Sequence, residues 1–385
     1  MSRQKVAVIT PGTFVIPSGH SSSVERVIEK VAPLAADELE IRIFGLSDGQ
    51  VPALGQLASI PCFRMPGGKQ YLISLLRHLK KWHPDMIDVH NRPLLAFQLK
   101  SRLPMAKVFL TLHSTTFFAV SYQPATRMRY ILDGVDRIIV NSQYLKKELQ
   151  RRFPSIRTPI SVNPLGVSLE DFTPRWTSPG EYLRQARLAN LGWSRRKIVM
   201  FIGRLLPSKG VHHLLNALPV ILKQEKEAML VIVGSAYYGV NRESQYVRRL
   251  KRMAEPFKDR VAFLPYVPYP NIADWYNLAD LVVVPSGEEE AFGLVNVEAM
   301  ASAVPVVASQ VGGIPEVVID GESGLLLPQA SLPKDLAKGI VAILGSEAQR
   351  KKMGQAGREL ARRRFRWQHT AARWVHLMKG QDAKI

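Results

Sequence analysis

Residues 281–300 read Leu-Val-Val-Val-Pro-Ser-Gly-Glu-Glu-Glu-Ala-Phe-Gly-Leu-Val-Asn-Val-Glu-Ala-Met. Leu281 to Val284 is a wholly apolar run of the length and β-branched content that suits a buried parallel strand. Pro285 and Gly287 end it, three acids follow, and Phe292-Gly293 turns the chain into a helix beginning near Leu294. Glycine lets the backbone bend closely, and the first turn of a helix carries N–H groups with no intrahelical partner. Together with the helix dipole, those donors suit a phosphate or sugar oxygen. Glu290 lies in the loop and Glu298 about a turn into the helix, so each end of an extended ligand could meet one carboxylate. Two acids at this spacing say little alone. The order strand, acid, Phe-Gly, helix, acid is far more specific.

Outward from this stretch the pattern repeats. Lys197 to Gly203 is an apolar strand, followed by Arg204-Leu-Leu-Pro-Ser-Lys209-Gly210 and a helix from Val211 to Leu222. Two cations in a glycine-bounded loop at a helix start suit a diphosphate, whose charge they would neutralise as it departs. Met229 to Gly234 and Arg260 to Pro265 read as further strands, the second running into Tyr266-Val267. Asn271 to Ala279 reads as a short helix, Pro305 to Ser309 as a strand, and Gly312 to Glu316 as a turn into a helix. Asp320 to Gly324 reads as a hairpin-like step. From Leu332 the tail is helical, its last helix running from about His369 to Met378, and the basic run Arg362 to Arg366 reads as a solvated face.

The N-terminal half alternates strands and amphipathic helices, the pattern of a parallel sheet with crossovers. Lys5 to Thr10 reads as a first strand rather than a leader. It opens into a Gly/Ser loop that includes Gly19, Ser22 and Ser23, before a helix from about Val24 that Pro33 is expected to stop near Val31. Ligands of open α/β sheets bind beyond the carboxyl ends of the strands, which makes this loop a candidate contact, along with Arg92 after the strand Met86 to His90. His113 ends the strand that begins at Val108 and points to the same crevice. Ile41 to Leu46 and Ile138 to Ser142 mark further strands. Tyr71 to Trp82 reads as a basic amphipathic helix, with Leu72, Leu75, Leu76, Leu79 and Trp82 on one side and Arg77, Lys80 and Lys81 on the other. It either covers the sheet or touches a membrane surface.

The 385 residues suit two domains. No apolar run approaches a membrane span, and the one cysteine, Cys62, excludes an internal disulfide. These features favour the cytoplasm. With 52 Lys+Arg against 32 Asp+Glu, the net charge of +20 favours anionic partners. The charge is dispersed, with 22 basic and 12 acidic side chains in residues 1–170. A concentrated nucleic-acid patch is therefore not expected. No Asp-x-Asp motif or His/Cys cluster at metal spacing is present.

The Glu290 to Glu298 stretch resembles the Glu-x7-Glu signature of retaining glycosyltransferases of family 4, and the likeness spans most of the chain, most strongly residues 197–325. The resemblance implies an α/β fold of the GT-B type, two Rossmann-like, doubly wound parallel-sheet domains facing a central cleft. It implies an acceptor-binding domain over 1–175, a linker over 176–195, a donor-binding domain over 196–365, and a C-terminal helix over 366–385 that crosses back. Asn163-Pro-Leu-Gly-Val167 is similar to the family's Pro-Asn-Gly-Val turn, with Leu165 where Asn is common.

The implied activity is transfer of a sugar from a nucleotide-diphosphate donor, a UDP-sugar favoured, to a glycan, lipid-linked or other hydroxyl acceptor, with retention, no cofactor and no metal. The resemblance assigns Glu290 to the sugar, His113 beside it, and Arg204 and Lys209 to the departing diphosphate. Glu298 takes the ribose, Phe292, Gly293 and Leu294 with Gly203 hold the donor, and Tyr266 and Val267 hold the base. Gly19, Ser22, Ser23 and Arg92 remain for the acceptor, with Ser22-Ser23 standing where family members carry a Gly-Gly pair and Ser114 where many carry Asp. An anionic acceptor and peripheral membrane contact fit the charge, and some relatives are spore-coat-associated. An epimerase or phosphorylase on the same scaffold, or a basic structural protein of the cell or spore surface, are the alternatives.

Overall fold

The computed structural model describes residues 3–17, 23–119, 121–237, 243–287 and 290–381. The chain divides into two compact units, one drawn from Met1–Leu165 and Trp367–Ile385, the other from Gly166–Arg366.

The first unit holds an eight-stranded sheet: β1 (Gln4–Ile9), β2 (Leu39–Leu46), β3 (Leu54–Leu57), β4 (Ile60–Met65), β5 (Met86–His90), β6 (Lys107–Leu112), β7 (Arg137–Val140) and β8 (Ile160–Val162). The order is β3-β4-β2-β1-β5-β6-β7-β8, parallel throughout except for the β3–β4 pair. The chain travels one way from β1 through β2 and the other way from β5 through β8, so the strand order reverses between β1 and β5. Crevices beyond the carboxyl ends of such a pair are where open α/β sheets hold ligands. The helix Ser23–Ala35 covers the sheet with Val24, Val27, Ile28, Val31 and Ala32 buried, and the helix Trp367–Met378 packs against it.

Pro33 lies inside that first helix rather than ending it. A proline there forfeits its own N–H bond and crowds the carbonyl four residues back, and burial of Ala32 and Ala35 keeps the last turn in place. The helix Lys69–Trp82 buries Tyr71, Leu75, Leu79 and Trp82, so its apolar side covers the sheet while Arg77, Lys80 and Lys81 are exposed.

The second unit holds six parallel strands, β9 (Lys197–Ile202), β10 (Ala228–Val233), β11 (Val261–Leu264), β12 (Leu281–Val284), β13 (Val306–Ser309) and β14 (Gly324–Leu327). Their order is β11-β10-β9-β12-β13-β14, which places the reversal between β9 and β12. Residues 320–324 lead into β14, which pairs parallel to β13 from Val306↔Gly324 onward, so no hairpin forms there. Asp320 ties this step, accepting from the Leu326 N–H at 2.8 Å.

Residues 166–195, the expected linker included, group with the second unit. Thr177 caps the 13-residue helix Ser178–Asn190, its Oγ1 accepting from the Gly180 N–H at 3.2 Å. Arg184 on this helix donates to the buried Asp280 at 2.7 Å and to the Leu278 carbonyl at 3.2 Å, anchoring the segment at the start of β12.

Candidate active site

Two loops meet at the reversal in the second unit. The chain leaves β9 at Gly203 and returns through Gly210, whose φ of +73° is left-handed and which approaches the backbone of Pro285 closely. A Cβ built on Gly210 would lie 1.9 Å from the Pro285 carbonyl oxygen. The loop after β12 is stitched to it by the Gly287 N–H, which donates to the Ser208 carbonyl at 2.7 Å. These backbone contacts fix two charged side chains against each other: Lys209 Nζ lies 2.6 Å from Glu290 Oε2, and Ser286 Oγ donates to the same oxygen at 3.1 Å. Both side chains are partly exposed. The Gly313 N–H donates to the Glu290 carbonyl at 2.9 Å, so Glu290 is held at backbone and side chain. Arg204 is exposed on the first loop.

Gly293, with φ of +86°, opens the helix Leu294–Ala301, and among the described residues no side chain caps it. Phe292 and Gly293 are buried and Leu294 half-buried. Glu298, on the second turn, is buried and its Oε2 accepts from Tyr276 Oη at 2.6 Å. An orienting phenol on one oxygen fixes the carboxylate plane. Tyr266 and Val267 follow β11 at the same carboxyl end of the sheet, half-buried.

In the first unit, His113 follows β6. Its N–H donates to Asn91 Oδ1 at 2.9 Å and its carbonyl accepts from Asn141 Nδ2 at 3.3 Å. Its ring lies 3.1 Å, nitrogen to nitrogen, from His90 at the end of β5. Burial, with the neighbouring His90 adding to it, pushes the His113 pKa down to about 3, so the ring is neutral at physiological pH. Arg92 stacks its guanidinium 4.6 Å from the centre of the Tyr71 ring. Ser23 is exposed at the start of its helix, and Gly19 and Ser22 lie outside the described residues.

The sequence-selected Lys209 and Glu290 are thus in contact, and Glu298 is on the adjoining helix. Ser286, Tyr276, Asp88 and His90 were not singled out by sequence. For Tyr276 the available signal was an aromatic at a buried position of a short helix preceding the key strand. For Asp88 and His90 it was an acid and a histidine two apart in an otherwise apolar strand. Asn296, wholly buried two residues before Glu298 on the same helix, has neither amide atom bonded to a partner among the described residues.

Two parallel-sheet α/β units, the second with a fixed acid and lysine at its strand-order reversal, have the architecture of GT-B glycosyltransferases. The chain belongs to glycosyltransferase family 4: residues 24–171 match the family model "Glycosyltransferase Family 4" and residues 185–360 match "Glycosyl transferases group 1". It is 32% identical to spore coat protein SA of Bacillus subtilis over 95% of this chain and 97% of that protein. It is 28% identical to a lipopolysaccharide 1,2-N-acetylglucosaminetransferase of Salmonella typhimurium, covering 80% of this chain and 76% of that one. Among solved structures, a sucrose-phosphate synthase from Thermosynechococcus elongatus superposes with a TM-score of 0.79 at 25% identity, covering 98% of this chain and 99% of that chain. The chain is therefore a glycosyltransferase. The epimerase, phosphorylase and surface-binding alternatives are not favoured.

Proposed function

We propose that this glycosyltransferase is a retaining hexosyltransferase that moves a sugar from a nucleotide-diphosphate donor, a UDP-sugar first, to a hydroxyl of a glycan or lipid-linked acceptor. The observation that supports this best is the Lys209–Glu290 pair at the β9/β12 reversal, where backbone contacts hold a cation and an acid in one loop cluster. As the bond from the anomeric carbon to the diphosphate breaks, negative charge collects on the leaving oxygen. Lys209 and Arg204 would stabilise it, without a metal, by fixed positive charge in a partly dehydrated site. Binding of a diphosphate would draw Lys209 from Glu290, leaving the carboxylate to accept hydrogen bonds from sugar hydroxyls. Glu298, oriented by Tyr276, would take the ribose hydroxyls. The helix start at Phe292, Gly293 and Leu294, with Gly203, would supply N–H donors, and Tyr266 and Val267 would hold the base. His113 would contact the sugar, and Ser23 and Arg92 the acceptor.

The proton of the acceptor hydroxyl would pass to the leaving phosphate oxygen on the same face as the new bond, which preserves the anomeric configuration. One relative is named a lipopolysaccharide 1,2-N-acetylglucosaminetransferase, and a surface glycan precursor is the acceptor class this suggests. Among the described residues no helix is long and apolar enough to cross a membrane. Arg77, Lys80 and Lys81 form the face through which a cytoplasmic enzyme would touch an anionic membrane.

The test is product analysis with UDP-sugars and candidate acceptors, with EDTA present throughout. Acceptor-dependent release of UDP and a product of unchanged anomeric configuration support the reading. Inversion, or a strict requirement for a divalent ion, contradicts it.

A further inference from the structure

We propose that Asp88, His90 and Trp374 form a buried hydrogen-bonded relay that orients the His113 ring, making Asp88 and His90 positioning residues for sugar transfer. This rests on the reading of His113 as a sugar contact. Strand β5 is buried along its whole length, yet it carries a carboxylate with no exposed surface and a histidine two residues on. A buried charge without partners costs several kcal/mol, so its retention here calls for an account.

Asp88 is saturated with donors. Thr111 Oγ1 donates to Oδ1 at 2.6 Å, Trp374 Nε1 donates to Oδ2 at 2.7 Å, and His90 Nε2 lies 3.3 Å from Oδ2. Burial alone would raise the pKa of Asp88, but the charge of His90 and these hydrogen bonds outweigh it and hold the group below the ordinary carboxylate range. An ionised Asp88 keeps a proton on His90 Nε2. That leaves His90 Nδ1 to face His113 Nε2 at 3.1 Å, the two ring planes only 14° apart. One proton occupies that nitrogen–nitrogen contact, so the two rings cannot both turn their lone pairs, or both their protons, towards it.

Among the described residues the other ring nitrogen of His113, Nδ1, is buried with no hydrogen-bond partner. The backbone of His113 is pinned by Asn91 and Asn141, and among the described residues its ring has one hydrogen bond, the nitrogen–nitrogen contact with His90. A cavity of about 30 Å³, lined mostly by apolar side chains and otherwise by His90, His113, Asn141, Asn163 and Thr370 among others, adjoins it. The contact with His90 is what sets the orientation of the ring. Trp374 brings the helix Trp367–Met378 into the same network, 286 residues from Asp88 in sequence.

The experiment reads the ring itself and the rate together. In ¹⁵N-histidine-labelled protein at pH 7.5, with the His113 signals assigned through His113→Gln, the wild type is expected to show one neutral tautomer for His113. His90→Phe should give an averaged mixture and lower kcat by about 10- to 100-fold, as loss of a positioning group does, with donor KM changed less than about threefold. His90→Gln, which keeps a donor and an acceptor, should recover most of the rate. Asp88→Asn should fall between the two. A wild-type mixture of tautomers, or an unchanged tautomer and kcat in His90→Phe, would overturn the relay. If His90→Phe does not fold, the wild-type spectrum and His90→Gln decide the matter. Full activity in His113→Ala would instead remove the transfer role that the relay serves, and the tautomer result would still decide the relay itself.

Discussion

The two strand-order reversals of this molecule handle charge in opposite ways. At the β9/β12 reversal, Lys209 and Glu290 are paired in a loop cluster and remain partly exposed, where water screens them and a ligand can compete for either partner. At the β1/β5 reversal, Asp88 and His90 are sunk into the strand itself, their partners supplied by β6 and the C-terminal helix. The first arrangement is exchangeable and suits a site whose ligand brings its own charge. The second is closed and suits a site that must present one uncharged group in one orientation. Removing a side chain from the first should therefore cost catalysis more than folding, and from the second should cost both.

Lys209→Ala breaks this contrast most sharply if it fails. It should lower kcat by about 10²- to 10³-fold, the usual loss for one preorganised charge-stabilising group, while the melting temperature moves by no more than a few degrees. Glu290→Gln should behave alike. Comparable losses of stability and rate would place the pair among structural contacts.

Gly210→Ala tests whether the loop contact underlies that pair. The new methyl group would meet the Pro285 carbonyl at 1.9 Å on a left-handed backbone. Urea unfolding should show a loss of more than about 2 kcal/mol, with activity lost as the two loops separate.

Trp374→Phe keeps the ring but takes one donor from the buried Asp88. A loss of about 1–3 kcal/mol is expected from urea unfolding, with a fall in kcat that Lys209 variants would not share in kind, because here the tautomer of His113 changes as well. The pH dependence of stability has a fixed sign. His113 is neutral when folded, with a pKa near 3, and takes up a proton when unfolded below its ordinary value of about 6.5. The folded state thus loses stability as pH falls from about 6.5 towards 3. The lowered Asp88 adds in the same direction at more acid pH, as stability present above its unfolded pKa is lost on protonation. His113→Gln should flatten the melting curve between pH 6.5 and 5. The smallest effect is expected at Arg77, Lys80 and Lys81: changing all three to Gln should leave transfer to a soluble acceptor unaltered and weaken salt-sensitive binding to anionic vesicles.

What could be read from the sequence follows the range of the interactions. Strand β12 was legible to the residue, and β9 to within one, because an unbroken apolar run between turn residues has few other uses. Strands β3 and β4 were missed. Leu54-Gly-Gln-Leu57 is a short, largely exposed edge pairing whose hold comes from its neighbour. Residues 176–195 read as a linker because they mix Pro, Gly and polar groups around one short helical stretch, and what binds the helix Ser178–Asn190 to the second unit is Arg184 reaching Asp280, 96 residues away. The same limit applies to the sites. Glu290 and Lys209 could be chosen from local motifs, but not their contact across 81 residues. His113 could be chosen from its strand end, whereas the Asp88–Trp374 bond belongs to the tertiary fold alone.

The measurement that bears most directly on the donor site is thermal unfolding of the wild type and of Lys209→Ala with UDP, GDP and ADP, each with and without EDTA. A nucleotide at 100 times its dissociation constant stabilises the native state by about 2.7 kcal/mol. A clear rise in melting temperature is expected with UDP, unaffected by EDTA and largely lost in Lys209→Ala. No rise with any of the three, or an equal rise in the variant, would contradict a diphosphate site at the Lys209–Glu290 pair.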